Sequence, residues 1–180
     1  MIEDVVSKVE DWRVRDIVVT PLSGGLTNTN YKVEVDGVPH FVRVPGASTE
    51  LLAIDRDNEH HNAKAAFQAG VAPRVLHHVP EFDSMVIEYL DGKTMSKEAL
   101  KQPGMPTRMA QAIKKLNQGP RFKLDFNMFR LTEYYLNLCR DRDIRIPDGY
   151  NERMATVKHI EQAMDAKPLP TLPCNHDLLA

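Results

Sequence analysis

Cysteine is scarce in this 180-residue chain, with only Cys139 and Cys174 present. They lie far apart and outside any zinc-ligand spacing, which argues against a disulfide framework or a structural zinc site and for reduced thiols in the cytoplasm. An excess of either charge is also lacking. The 23 Lys and Arg against 25 Asp and Glu give a formal net charge of -2, without a concentrated basic stripe. A nucleic-acid partner is therefore not expected, because such a partner requires clustered cations to neutralise its phosphates. No apolar run approaches the length of a membrane span, and the N-terminus has no basic region followed by an apolar core. Neither secretion nor membrane insertion is expected. Internal repeats and low-complexity tracts are missing as well. What is there, 42% hydrophobic and 27% charged residues, is the composition of a folded chain with one sizeable core or two small lobes.

Periodicity organises the chain into two unlike halves. Val5, Val6, Val9 and Trp12 recur at helical spacing and predict a short amphipathic helix whose job is packing. Residues 17–22, 30–35 and 38–44 read as strands, the last two joined by Asp36-Gly37, a pair suited to a tight hairpin. A helix is expected over 56–69, ending at Gly70 with Pro73 just beyond, and two further strands over 75–78 and 84–89. After Tyr89 the sequence becomes turn-like and then mostly helical, so a lobe boundary is placed there, with one lobe over 1–89 and another over 90–180. Leu131, Tyr134, Tyr135 and Leu138 form one apolar stripe, and Tyr150, Met154, Val157 and Met164 another. Both read as core. Pro168, Pro170 and Pro173 then hold the chain extended before its end.

Several groups along this layout can carry chemistry. The segment Leu22-Ser23-Gly24-Gly25-Leu26-Thr27-Asn28 joins two predicted strands, and its glycines and small polar side chains suit a turn that covers phosphates. Taken alone it also reads as a polar hairpin connection, and no Gly-Lys-Ser/Thr follows to make it a Walker loop. Arg43 stands in a strand whose neighbours are apolar, so it either meets a partner or an anion, or points into water from an edge. Glu59 shares a helical face with Ala63, Ala66 and Gly70 and is expected to point toward the sheet, where it can meet Arg43. Such a pair matches a phosphate-positioning ion pair, and equally a structural tie between helix and sheet.

Histidines offer less. His60 and His61 point about 100° apart on a helix, and His77 and His78 alternate faces of a strand, so neither pair has metal-ligand spacing. Val86-Ile87-Glu88-Tyr89-Leu90 is an apolar strand running into a turn at the lobe junction, where backbone groups can meet an adenine edge. Asp177, in Asn175-His176-Asp177, stands in a loop where a catalytic base or a simple turn residue would fit. The serial order of a glycine hairpin, strand cation, helix acid, hinge-like strand, helical lobe and loop Asp is that of a kinase-like phosphotransferase.

In these residues the chain resembles the choline/ethanolamine kinase family, a group within the aminoglycoside-phosphotransferase-like kinases. The segments that carry the resemblance are Leu22 to Tyr31, Phe41-Val42-Arg43-Val44-Pro45-Gly46, Asp55-Arg56-Asp57-Asn58-Glu59, Ala69-Gly70-Val71-Ala72-Pro73, Ile87 to Gly92, and Cys174-Asn175-His176-Asp177-Leu178-Leu179. The resemblance implies an α+β, protein-kinase-like fold, with an antiparallel-sheet N-lobe and the beginning of a mostly helical C-lobe. It implies ATP- and Mg²⁺-dependent phosphorylation of a small amino alcohol, choline or ethanolamine, as in phospholipid metabolism. On this reading Gly24, Gly25, Thr27 and Asn28 cover phosphates, Arg43 contacts them, Glu59 orients Arg43, Glu88, Tyr89 and Leu90 bracket adenine, and Asp177 is the catalytic base. The loop departs from the family by reading Asn-His-Asp where His-Asn-Asp is usual, and Asn117 stands where a His is expected. The metal-binding Asn and Asp of the family would fall after Ala180, so these 180 residues alone are expected to be inactive and to leave apolar surface uncovered. Another small-molecule kinase, acting on an aminoglycoside or thiamine, and a non-catalytic nucleotide-binding module are the competing readings.

Overall fold

The computed structural model describes residues 1–23, 27–46 and 51–177. Gly24 and Gly25 of the expected phosphate turn lie outside the described residues, as do Leu178 and Leu179. By backbone contacts the chain divides into two compact units, residues 1–123 with 172–180, and residues 124–171.

The larger unit is built on five antiparallel strands in the order β1-β2-β3-β5-β4. These are β1 (Ile17–Leu22), β2 (Asn28–Val35), β3 (Val38–Pro45), β4 (Val75–Val79) and β5 (Ser84–Glu88). The turn between β2 and β3 uses left-handed backbone at both of its residues, φ 49° at Asp36 and 79° at Gly37, which is why Asp-Gly is the suitable pair. Asp36 also ties down the start of β1. Its carboxylate accepts a 3.0 Å hydrogen bond from the Asp16 backbone N–H and a 2.9 Å bond from Arg15.

Residues directly opposite one another in antiparallel strands point to the same face, so the register assigns every side chain. Tyr31, Val42 and Val86 share one face, as do Val33 and His40. Helix α1 (Ile2–Lys8) and the 3-10 turn Glu10–Trp12 close this face. Val5, Val6, Val9 and Trp12 are buried there against Val33, Val35, Val42, Val44 and Val86. The expected helix over these residues is thus interrupted after Lys8, and Trp12 arrives on a tighter turn. Its ring meets His40 edge-on at 5.0 Å and His77 at 6.0 Å.

The opposite face, with Phe41, Arg43 and Ile87, is the side of α2 (Arg56–Gln68). Asp55 caps this helix by accepting a 2.8 Å bond from the Asn58 N–H. At its other end Val71 N–H reaches the Ala66 carbonyl and Gly70 N–H the Phe67 carbonyl, the paired bonds of a Schellman stop. Residues 121–123 run along α2. Lys123 donates its backbone N–H to Asn62 Oδ1 at 3.0 Å and pairs through its ammonium with Asp57. Helices α3 (Lys97–Leu100) and α4 (Met105–Asn117) complete the described part of this unit.

The smaller unit consists of α5 (Met128–Asp141) and α6 (Met154–Asp165), with Arg130 paired to both Glu133 and Glu161. The apolar stripes expected to be core are only partly covered. On α5 the buried residue is Leu136, at 7% exposure, while Tyr134 is 42% exposed. Tyr150 and Met164 are exposed as well. A unit of this size has too little interior to bury a stripe along its whole length.

Candidate nucleotide site on the open face of the sheet

Two features lie along β3 on the face away from Trp12. The first is an apolar slot of about 300 Å³ lined by Leu22, Phe41, Pro73, Ile87, Glu88, Tyr89 and Leu90. Phe41 and Ile87 are cross-strand partners and form its floor, while Leu22 ends β1 and Pro73 precedes β4. Glu88 to Leu90 carry the chain out of the sheet beside it. A flat aromatic ring fits such a slot; the Glu88 N–H is taken by the Arg74 carbonyl at 2.9 Å, so the backbone at Tyr89 and Leu90 is what stands beside its polar edge. Lys32 Nζ stands 5.5 Å from the centre of the Tyr89 ring, a cation–π contact that holds this side chain at the slot's edge.

The second feature begins two residues further along the same strand, about 7 Å from Phe41 at the rise of a β-strand. There Arg43 forms an ion pair with Glu59. Arg56 joins the same carboxylate, its guanidinium 2.7 Å from Glu59 Oε2, and also donates to Asn28 Oδ1 at 3.0 Å. Asn28 in turn donates to Thr27 Oγ1 at 3.2 Å. Thr27, Asn28, Arg56, Glu59 and Arg43 thus form one connected polar chain from the start of β2 to the middle of β3. Gly46 lets the two strand ends close, because its N–H bonds the Thr27 carbonyl at 3.0 Å and a Cβ there would sit 3.1 Å from that oxygen. The cluster holds two guanidiniums and one carboxylate. It is partly buried, with Arg56 12% and Glu59 22% exposed, and two guanidiniums held side by side can offer donors to an anionic ligand.

The expected site residues fall into three places. Thr27, Asn28, Arg43 and Glu59 come together; Glu88, Tyr89 and Leu90 line the slot; Asp177 sits in the extended segment after buried Pro173 and is exposed. The Asp177 backbone N–H bonds Asn175 Oδ1 at 2.8 Å, a local turn that fixes the loop ahead of its carboxylate. Leu22, Phe41, Pro73, Ile87 and Arg56 were not singled out from sequence as site residues. Alternation along β3 and β5 would have found Phe41 and Ile87, since they share the face of Arg43. Asn117, where the resemblance leads one to expect His, buries its Oδ1 without a hydrogen-bond partner. Among the described residues no group of three or more His, Cys, Asp or Glu is placed to hold a metal ion.

Next to Glu59 on α2, His60 stacks on His78 of β4, their ring centres 3.9 Å apart. Burial, then the proximity of His78, Lys64 and His61, holds the His60 pKa below its ordinary value. The unfolded chain therefore binds a proton that the native state resists, so the contribution is intact above about pH 6.5 and is lost as the pH falls below it. The melting temperature is expected to fall between about pH 7.5 and pH 5.5, and to fall less in His60→Phe. An identical fall in that variant would remove His60 as a cause.

A profile of the choline/ethanolamine kinase family matches residues 19–168. Among solved structures, a choline/ethanolamine kinase family protein from Mesorhizobium loti is 32% identical with a TM-score of 0.75, over 99% of this chain and 59% of that one. Choline kinase LicA from Streptococcus pneumoniae is 20% identical with a TM-score of 0.72, over 98% of this chain and 60% of that one. A complex of LicA with AMP is 20% identical with a TM-score of 0.75, over 98% of this chain and 61% of that one. No match was found among curated protein sequences. The chain thus spans about three fifths of the length of these structures. The α+β architecture is protein-kinase-like, and no helix among the described residues is long and apolar enough to cross a membrane. With the family profile matching most of its length, the chain belongs to the choline/ethanolamine kinase family.

Proposed function

We propose that the protein carrying this chain transfers the γ-phosphoryl group of ATP to the hydroxyl of choline or ethanolamine. The observation that carries the reading is the placement of the Arg43–Glu59–Arg56 cluster two residues along β3 from an apolar slot. Adenine in the slot directs its phosphates along the strand toward Arg43, and Glu59 holds the Arg43 guanidinium in line. The AMP complex of LicA supports nucleotide binding as part of this reading. Residues 1–89 act as the ATP-covering lobe and 90–180 as the start of the helical lobe. Gly24, Gly25, Thr27 and Asn28 close over the phosphates.

Asp177 accepts the proton of the substrate hydroxyl as its oxygen attacks the γ-phosphorus. ADP leaves, and the products are the phosphorylated alcohol and one proton. ATP is presented as its magnesium complex, in keeping with the family. The described residues do not by themselves make a metal cage, so no step here runs through the ion. Within this reading the slot and the Arg43–Glu59 pair supply nucleotide binding.

Calorimetry with ATP and a coupled assay for ADP release test both parts. Residues 1–180 are expected to bind ATP without choline-dependent ADP release, and the whole protein to release ADP with choline or ethanolamine. Release with an aminoglycoside or thiamine instead would replace the substrate assignment. Nucleotide binding by the whole protein with no acceptor at all would favour a non-catalytic module.

A further inference from the structure

Arg56 occupies the first position of α2, where the helix dipole disfavours a cation and where acidic side chains are the stabilising choice. It is nevertheless among the less exposed charges of the chain, at 12%. Its guanidinium donates to Glu59 Oε2 at 2.7 Å and to Asn28 Oδ1 at 3.0 Å. The two acceptors belong to different elements, since Glu59 is one helical turn along α2 and Asn28 opens β2 directly after the glycine segment. An ordinary helix pair at i, i+3 would join Arg56 to Glu59 alone. The second bond makes the side chain a cross-brace.

Resting on the nucleotide reading above, we propose that Arg56 is a positioning residue that fixes the base of the phosphate-covering turn against the Arg43–Glu59 pair. Both bonds come from one guanidinium nitrogen, Nη1, whose two N–H groups point in fixed in-plane directions, while a lysine ammonium turns freely on its stem. Through Asn28 it also fixes the Thr27 hydroxyl, whose oxygen accepts from Asn28 Nδ2 at 3.2 Å. Glu59, held on one oxygen by Arg43 and on the other by Arg56, is left with a single orientation. The brace acts on Asn28, Thr27 and Glu59 and on no residue that lines the slot, so its effect is felt by the phosphates and not by the base.

Affinities for ATP and for adenosine, measured by calorimetry on wild type, Arg56→Gln, Arg56→Lys, Asn28→Ala and the Arg56→Gln/Asn28→Ala double variant, test the assignment. Arg56→Gln is expected to weaken ATP about tenfold while adenosine stays within about twofold. Arg56→Lys stays close to Arg56→Gln, because charge without the fixed N–H directions of Nη1 does not restore the bridge. Asn28→Ala shows the same selective loss, and the double variant is no worse than either single one. Equal losses for ATP and adenosine, full rescue by Lys, or additive losses would each overturn the proposal. A readout without nucleotide separates it from the reading it rests on. Amide exchange at residues 27–30 should quicken in Arg56→Gln while residues 85–87 stay unchanged, and uniform quickening in both segments would overturn the brace. Failure of the wild type to prefer ATP over adenosine, with the exchange result intact, would instead strike the nucleotide reading.

Discussion

Replacement of Asp177 by Ala in the whole protein is expected to lower kcat by about 10²- to 10⁴-fold, the range that a positioned general base contributes. The Kd for ATP should stay within about twofold, because the bond described for Asp177, from its backbone N–H to Asn175, involves neither the slot nor the arginine cluster. The split between the two constants carries the argument. Asp177 follows buried Pro173 and is set by its own N–H bond to Asn175, so its carboxylate is presented to solvent from a locally fixed turn. Removing it deletes a proton acceptor and leaves the fold's core untouched, so the melting temperature should hardly move. Single-turnover kinetics with choline and ATP provide the measurement. A variant that keeps wild-type kcat would exclude Asp177 as the base, and a matching loss of ATP affinity would reassign it to nucleotide or metal-nucleotide binding.

Glu59→Ala is expected to give the second-largest effect, a fall in kcat of about 100-fold, comparable to the loss of one aligned electrostatic contact to a transition state. ATP binding should suffer far less. With the carboxylate gone, Arg43 and Arg56 keep their attraction for phosphate but lose the group that holds each in place. The two cations then repel, so the variant should also melt earlier. The cost is expected to be about 1–3 kcal/mol, below that of a fully buried broken pair because Arg43 is 36% exposed. Glu59→Gln keeps a hydrogen-bond acceptor and should recover part of the loss. Steady-state kinetics decide the point. A raised KM for ATP with unchanged kcat would mean that Glu59 contributes binding and not orientation.

How far these residues can be read without coordinates differs from element to element. The β2–β3 hairpin is legible because Asp36-Gly37 fits left-handed backbone that few other pairs accept, and the strand patterns on either side agree with it. Helix α2 is legible from its ends, with Asp55 as cap and Gly70 as stop. The direction of Glu59 follows from its spacing to Ala63 and Ala66. Arg56 is not legible. At i, i+3 from Glu59 it looks like one half of a common surface pair, and its bond to Asn28 depends on how β2 lies beside α2. The apolar slot is half legible, because Glu88 to Leu90 mark the strand exit, whereas Phe41 and Ile87 become a floor only once β3 and β5 are registered. Leu136 instead of Tyr134 is buried on α5 for a similar reason. A stripe states which residues share a side of a helix, and only the neighbouring element decides how much of that side is covered.

The register of β3 and β5 makes the chemistry of this protein a matter of parity. Odd-numbered Phe41, Arg43 and Ile87 face the slot and Glu59, and even-numbered Val42, Val44 and Val86 face Trp12 and α1. A slip of one residue would exchange the two sets, sending a guanidinium into the valine core and a valine to the phosphates, with no change in composition. The two residues Asp36 and Gly37 set the count between β2 and β3, and β5 is paired to β3 separately, Phe41 to Ile87 and Val42 to Val86. An insertion or deletion of one residue in either strand would therefore cost both the valine core and the Arg43–Glu59 pair at once, where a substitution on one face spares the other.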